Sequence, residues 1–217
     1  MSDPPDQPGQ PGPRSIKIAD DERGGWSSDR PRKSGAPPRP VDYGVRGRVL
    51  KPSDFLRYSP GSLLLIVSPS AEAREEFAQR LIEQRGALMS LAKVRGMLQG
   101  RVPDEDVEAR AVELLDAAVA KRLEAGETVV LTLGPTQDER QRFVNVAGGF
   151  RRPRHLILIE AGRDAVSEED RPAVNELRRK LDAGELGAEG FHSALRLGGE
   201  AVSELKRLVF RPEPRDD

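Results

Sequence analysis

The fold is decided by one stretch of the chain, Gly61-Ser62-Leu63-Leu64-Leu65-Ile66-Val67-Ser68-Pro69-Ser70-Ala71-Glu72-Ala73-Arg74-Glu75-Glu76-Phe77. Its first half is a continuous leucine, isoleucine and valine run without polar alternation, which predicts a buried parallel strand from Leu63 to Val67. Its second half predicts a helix from about Ala71 to Gln84 that begins almost directly after the strand. A buried strand that leads straight into a helix is typical of a parallel α/β sheet.

Strands and helices alternate through the rest of the chain. Further strands are predicted at residues 87–91, 128–133, 155–159 and 191–197. Further helices are predicted at residues 92–99, 103–125, 167–183 and 200–208, and one more begins at a capping box, Thr136 to Glu139. In the helix at 103–125 we expect the apolar stripe to consist of Val107, Ala111, Leu114, Ala118 and Leu123. This order predicts an α/β fold of three layers, in which a parallel sheet carries helices on both faces.

The regions outside this pattern have a different composition. Residues 1–42 contain nine of the 18 prolines and few aliphatic residues, so we expect a disordered tail. Ile16-Lys17-Ile18 and Trp26 within it are either a short motif that docks on a protein partner or stray apolar residues. Residues 43–60 are expected to form a transitional segment at the domain edge, residues 61–211 the α/β domain, and residues 212–217 a flexible C-terminus.

Composition excludes several function classes. The 217 residues carry a formal net charge of −1, which gives no global attraction to nucleic acid or membrane. There is no cysteine, which excludes disulfides, thiolate metal sites and a cysteine nucleophile, and the two histidines, His155 and His192, do not favour a metal centre. No apolar run approaches the roughly 20 residues of a membrane span, and the first residues lack signal-peptide features, so we expect a cytoplasmic protein.

Four segments, in order along the chain, resemble one protein family. They are Leu63 to Ser70, Ser90 to Leu98, Arg122 to Leu131, and Glu189 to Phe210. The family is that of the bacterial P-loop kinases of the polynucleotide-kinase and zeta-toxin type, and the resemblance covers residues 61–211. It implies the P-loop NTPase-like form of the three-layer fold, with a phosphate-binding loop at the junction of the first strand and helix.

The resemblance also implies where the kinase site would lie. The family loop reads Gly-x-x-x-x-Gly-Lys-Ser/Thr, and its backbone N–H groups hold phosphates. The former phosphate-loop positions in this chain are Ser68, Ser70, Ala71, Ala73, Arg74 and Glu75. Arg74 takes the place of the lysine and Glu75 that of the magnesium-binding hydroxyl. The former acidic positions are Ala92, Lys93 and Thr132.

These replacements alter the phosphate cradle, the metal ligand and both acids together. A Cβ atom in place of a loop glycine crowds the phosphate, and arginine is not a like-for-like substitute for lysine. Glu72, Glu75 and Glu76 also place negative charge in the first helical turns, where a phosphate would bind. We therefore expect a non-catalytic kinase-like domain, without catalytic residues, metal or cofactor, that acts as a binding or regulatory module.

Two other functions stay open at this point. One is a divergent ATP-dependent phosphotransferase that binds Mg-ATP weakly and acts on a nucleotide, a nucleic-acid end or a small molecule, using Arg74 with Lys93 and Arg140. The other is a nucleic-acid-binding module, for which the Arg151-Arg152-Pro153-Arg154 run is either a phosphate contact or an ordinary solvated loop. The candidate residual anion contacts are Arg95, Arg140, Arg163 and Arg178. A protein partner is expected through Trp26 and the tail.

Overall fold

The structure of the chain is a computed structural model that describes residues 55–162 and 165–212. The predicted tail at 1–42 with Trp26, most of the segment at 43–60, Arg163 and the last five residues lie outside these ranges. The expectations for them stay predictions.

Strands and helices alternate along the described ranges as the sequence predicts. The strands are β1 Phe55–Tyr58, β2 Leu63–Val67, β3 Leu88–Ser90, β4 Val129–Leu133, β5 Arg154–Ile159, β6 Ser193–Leu197 and β7 Arg207–Phe210. The α-helices are α1 Ala71–Leu81, α2 Leu91–Leu98, α3 Asp104–Glu124, α4 Gln137–Gly149, α5 Arg171–Asp182 and α6 Glu200–Glu204. Short 3-10 turns at Arg85–Ala87 and Glu185–Gly187 precede β3 and β6.

The main sheet has five parallel strands in the order β3-β4-β2-β5-β6. Its central strand is β2, in which Leu65 lies opposite Leu131 of β4 and Leu156 of β5. All five residues of β2 are buried, which explains why the strand has no polar alternation. The α/β fold predicted from the sequence is confirmed.

Alternate side chains of β2 enter the two different cores of a three-layer arrangement. Leu63, Leu65 and Val67 pack with apolar residues of α3, α4 and α5 on one face. Leu64 and Ile66 pack on the other face with α1 and with a two-stranded parallel ribbon formed by β1 and β7. Right-handed crossovers require this division. The connection after β2 runs toward the β3 edge of the sheet, whereas those after β4 and β5 run toward the β6 edge.

Three predicted details are wrong, and each error has a tertiary cause. The buried stripe of α3 is Ala111, Leu115, Val119 and Leu123, whereas Leu114 is 49% exposed. Helix α1 ends at Leu81 because Ile82 turns to an extended conformation and forms a parallel bridge with Leu208. The last predicted helix stops at Glu204, and the residues that follow become β7 because they pair with β1.

Candidate functional site

The topology of the main sheet creates a crevice at the carboxyl end of β2. The connection after β2 leads to α1 on one face, and those after its neighbours β4 and β5 lead to α4 and α5 on the other. Open parallel sheets bind ligands at such a switch point, outside the carboxyl ends of the strands. Most former loop positions and Thr132 lie here, so the sequence and the topology indicate the same place.

The connection from β2 to α1 is short and is held by its own side chains. Only Ser68, Pro69 and Ser70 separate the strand from the helix. Ser70 caps the helix, because its side chain accepts a 3.2 Å hydrogen bond from the backbone N–H of Ala73. The N–H of Ser70 donates to the hydroxyl of Ser68, which is fully buried, at 3.3 Å. These bonds occupy backbone donors that a phosphate would need.

Arg74 closes the same turn from inside. Its Nη1 donates a 2.8 Å hydrogen bond to the backbone carbonyl of Ser68, while its buried Nε has no partner. Burial lowers the pKa of the Arg74 guanidinium, and the charges of Glu75, Glu139 and Asp170 oppose that change. One cation therefore faces three carboxylates, and the crevice around Arg74 is acidic on balance.

A hydroxyl and a carboxylate connect α1 to β4 across the crevice. The hydroxyl of Thr132, a residue 4% exposed, donates a 2.5 Å hydrogen bond to Oε1 of Glu75. The two positions to which the family resemblance assigns a metal ligand are thus in direct contact. Their chemical types are exchanged, because the acid stands on the helix and the hydroxyl on the strand.

The remaining former acidic positions lie on α2, after the edge strand β3. Ala92 and Lys93 are exposed in the first turn of this helix. The backbone N–H of Lys93 is bonded to the capping hydroxyl of Ser90 at 3.2 Å. Within the described ranges, neither side chain forms a hydrogen bond or an ion pair with Glu75 or Thr132.

The three described candidate anion contacts all have carboxylate partners. Arg95 forms a two-pronged hydrogen bond with Glu108 at 2.5 Å, and Arg178 donates to Glu160 at 3.0 Å. Hydrogen bonding with Glu108 raises the pKa of Arg95. Each guanidinium would have to leave its carboxylate before it could bind a ligand. Their role as ligand contacts stays a prediction.

Arg140, the third of these, belongs to a buried polar cluster that was not predicted from the sequence. It is 1% exposed, donates to the backbone carbonyl of Pro135 at 2.5 Å and lies 3.4 Å from the carboxylate of Glu189. Lys180 donates to the same carboxylate at 2.8 Å. Burial lowers the pKa of Arg140, although Glu189 opposes this. No local sequence motif indicates the cluster, because 49 residues separate Arg140 from Glu189.

The Arg151-Arg152-Pro153-Arg154 run is largely structural. Arg152 donates to the backbone carbonyls of Leu123 and Glu124, at 2.8 and 3.3 Å, and so caps the end of α3. Arg154 donates to the backbone carbonyl of Gly190 at 2.6 Å. Both side chains are therefore anchored to the backbone, and a contact of this run with nucleic-acid phosphate stays a prediction.

The two histidines meet at the amino end of the sheet, away from the crevice. Nδ1 of His155 lies 2.7 Å from the hydroxyl of Ser193, its ring packs 4.7 Å from that of Tyr58, and its buried Nε2 has no partner. Burial, with the charges of His192 and Arg154, lowers the pKa of His155 to about 4; burial, then Arg154, lowers that of His192 to about 4. Both rings are neutral at pH 7.

The described ranges contain neither a candidate metal cluster nor a candidate membrane-spanning helix. No cluster of three or more histidine, cysteine or acidic side chains arranged for a metal ion occurs in residues 55–162 and 165–212. Over the same residues, no helix has the length and apolar character needed to cross a membrane.

Comparisons with known proteins find distant structural likenesses. No protein-family model and no curated protein sequence matches the chain. A crystal structure of a protein from Chloroflexus aurantiacus, described as a "putative kinase", is similar over 64% of this chain and 86% of that one. The sequence identity is 19% and the TM-score 0.42, so the likeness concerns overall architecture alone. The chain is a three-layer α/β protein whose substrate and partner these comparisons do not name.

Proposed function

We propose that this chain is a non-catalytic relative of the P-loop kinases and acts as a binding or regulatory module. One observation carries the proposal: the guanidinium of Arg74 is bonded to the carbonyl of Ser68, inside the turn that would receive a phosphate. A phosphate-binding loop needs an open turn whose N–H groups point at the ligand. Here the turn is closed by a side chain of the chain itself.

The length of the connection supports the same conclusion. The family motif places four residues between its two glycines before the lysine, which gives the backbone room to curve around a phosphate. Three residues connect β2 to α1 here, and none is glycine. Ser68 is also fully buried, which leaves no space for a phosphate at its position.

Electrostatics further opposes a triphosphate. Glu75, Glu139 and Asp170 act on Arg74, and Glu72 lies in the first turn of α1. Like charges about 4 Å apart repel by about 1 kcal/mol per pair in water and more where water is excluded. Each 1.4 kcal/mol of such repulsion weakens binding about tenfold.

The exchanged pair alters the expected magnesium site. In the P-loop enzymes magnesium is held by the hydroxyl of the loop and by the acid of a neighbouring strand. In this chain the hydroxyl of Thr132 donates a hydrogen bond to the carboxylate of Glu75, so each group already has a hydrogen-bond partner. Binding of magnesium would have to break this hydrogen bond in a place where the hydroxyl is nearly fully buried.

Calorimetric titration with Mg-ATP tests the proposal. We expect no heat of binding at millimolar nucleotide and no ATP turnover by the purified chain. A nucleotide present at about 100 times its dissociation constant would stabilise the folded state by about 2.7 kcal/mol and raise the melting temperature. Since we expect no binding, the melting temperature should stay unchanged when Mg-ATP is added. ATP turnover that Arg74→Ala abolishes would overturn the proposal in favour of a divergent phosphotransferase.

The protein partner is the remaining part of the proposal. The Trp26 segment lies outside the described residues, so its role rests on the sequence alone. Replacement of Trp26 by alanine should weaken binding of the partner without changing the stability of the domain. The control is Trp26→Phe, which keeps an aromatic side chain and should keep most of the binding.

A further inference from the structure

The outward face of the β1–β7 ribbon is an arginine-rich surface. Leu56 and Leu208 point into the core, so their neighbours in the two strands point away from it. The outward positions of β1 are Phe55 and Arg57, and both are exposed. The alternate positions on the β7 side are Arg207, Val209 and Arg211; both arginines are exposed, whereas Val209 is buried.

Phe55 lies close to two of these guanidinium groups. Cζ of Arg207 is 5.5 Å from the ring centroid, and Cζ of Arg57 is 5.8 Å from it. The ring is 38% exposed. The ring and the exposed arginines of this face are together called the ribbon platform: Phe55, Arg57, Arg207 and Arg211.

The cations of the platform have no neutralising acid. Arg57, Arg207 and Arg211 form no ion pair with any carboxylate of the described residues, whereas the exposed Arg110, Arg171, Arg179 and Arg196 do. The outward positions of the ribbon contain no acidic residue. Three positive charges held together without a partner favour an anionic ligand, and bringing them together costs free energy until one binds.

The spacing fits a chain of phosphates. In a strand that rises about 3.3 Å per residue, Arg207 and Arg211 are about 13 Å apart. Arg57 lies opposite Val209 and therefore between them on the neighbouring strand. Guanidinium groups match phosphate with two parallel hydrogen bonds, and bases stack on aromatic rings and on guanidinium planes.

We propose that the ribbon platform binds single-stranded nucleic acid. Phosphates would bind to the three arginines, and a base would stack on the ring of Phe55 or on a neighbouring guanidinium. The platform provides both of the contacts that such ligands use, charge along the backbone and a flat stacking surface. This binding is independent of nucleotide binding at the crevice, so either proposal can fail without the other.

Fluorescence anisotropy with a short labelled oligothymidylate tests the proposal. We expect micromolar binding at 50 mM salt, and a slope of about −2 for log affinity against log salt, as three phosphate contacts predict. Arg57→Ala/Arg207→Ala should bring the slope to about −0.7. The matched control is Arg101→Ala/Lys121→Ala, which removes the same charge from exposed positions elsewhere and should leave the slope unchanged.

Two further variants separate stacking from charge and keep the test interpretable if the alanine variant is unstable. Phe55→Leu should weaken oligothymidylate binding about tenfold but leave binding of a heparin oligosaccharide, which has no bases, unchanged. Arg57→Lys/Arg207→Lys keeps the charge and should keep the salt slope. Equal effects of the platform and control variants would overturn the proposal. So would a polyglutamate peptide that binds the platform more tightly than the oligonucleotide does.

Discussion

The hydroxyl of Thr132 on β4 donates a 2.5 Å hydrogen bond to the carboxylate of Glu75 on α1. The two residues are 57 positions apart in the sequence and meet only because β4 lies beside β2, from which α1 starts. Thr132 is nearly fully buried, so its hydroxyl needs a partner inside the protein. The pair thus fixes the first turn of α1 against the sheet at the mouth of the crevice.

Thr132→Val should lower the free energy of unfolding by about 1–3 kcal/mol. Valine keeps the shape of threonine, so the loss measures the hydrogen bond to a charged group. Urea denaturation should show a lower midpoint and an unchanged m-value. The control is Thr136→Val, since Thr136 is exposed and its side chain makes no capping bond. Equal losses in the two variants would contradict a stabilising role for the pair.

Removal of one partner of the buried Arg140–Glu189 pair should strongly lower the free energy of unfolding. Glu189→Leu leaves Arg140 as a cation 1% exposed and without its carboxylate, and we expect a loss of about 3–5 kcal/mol. Arg140→Met/Glu189→Leu removes both charges and should be more stable than the single variant. Thermal and urea denaturation measure both.

The exposed pair of Arg110 and Glu113 is the control for that prediction. Their atoms are 3.0 Å apart, but both side chains are more than 60% exposed. Glu113→Leu should therefore change the stability by less than about 1 kcal/mol. A double variant at Arg140 and Glu189 that is less stable than Glu189→Leu would contradict the cost assigned to the unpaired cation of Arg140.

The sequence predicts those elements whose pattern is set by burial of the element itself. The unbroken apolar runs of β2 and β4 are buried on both sides, and both strands lie within one residue of their predicted bounds. Prediction from the sequence fails where pairing with a segment distant in the sequence determines the secondary structure. Residues 207–210 are good helix formers in part, but they become a strand because residues 55–58 pair with them.

The candidate site shows the same limit. The position of the crevice follows from the strand-to-helix junction, which can be predicted from the sequence pattern. The contacts of Arg74 with Ser68 and of Glu75 with Thr132 depend on side-chain directions in the folded chain. The predicted capping box also fails, because the side chain of Thr136 makes no capping bond. Glu139 instead comes close to Gly134.

Acidification should destabilise the protein through His155 and His192. Their pKa in the folded protein is about 4, against 6.5 ordinarily. The unfolded chain therefore binds more protons between these values, so the free energy of unfolding falls as the pH drops from about 6.5 to 4. For the more buried His155 the loss is on the order of 3 kcal/mol.

A variant without the buried histidine isolates this effect. His155→Phe/Ser193→Ala removes the titrating ring together with the hydroxyl that would lose its partner. Its melting temperature should fall less than that of the native protein between pH 7 and pH 4.5. Contributions from carboxylates are common to both proteins and cancel in the comparison. Parallel pH profiles would rule out His155 as a source of the acid sensitivity.

Gly61, just before β2, should tolerate alanine far less well than Gly100 does. Both glycines have a positive φ, +71° and +69°, which costs an alanine about 1–2 kcal/mol. At Gly61 a Cβ atom would also lie 2.8 Å from the backbone oxygen of Gly126, whereas at Gly100 it would meet open space. Because that oxygen cannot move without shifting the chain before β4, Gly61→Ala should lose clearly more stability in urea denaturation. Equal losses would mean that conformational strain alone, and not the close approach of these two connections, requires glycine before the central strand.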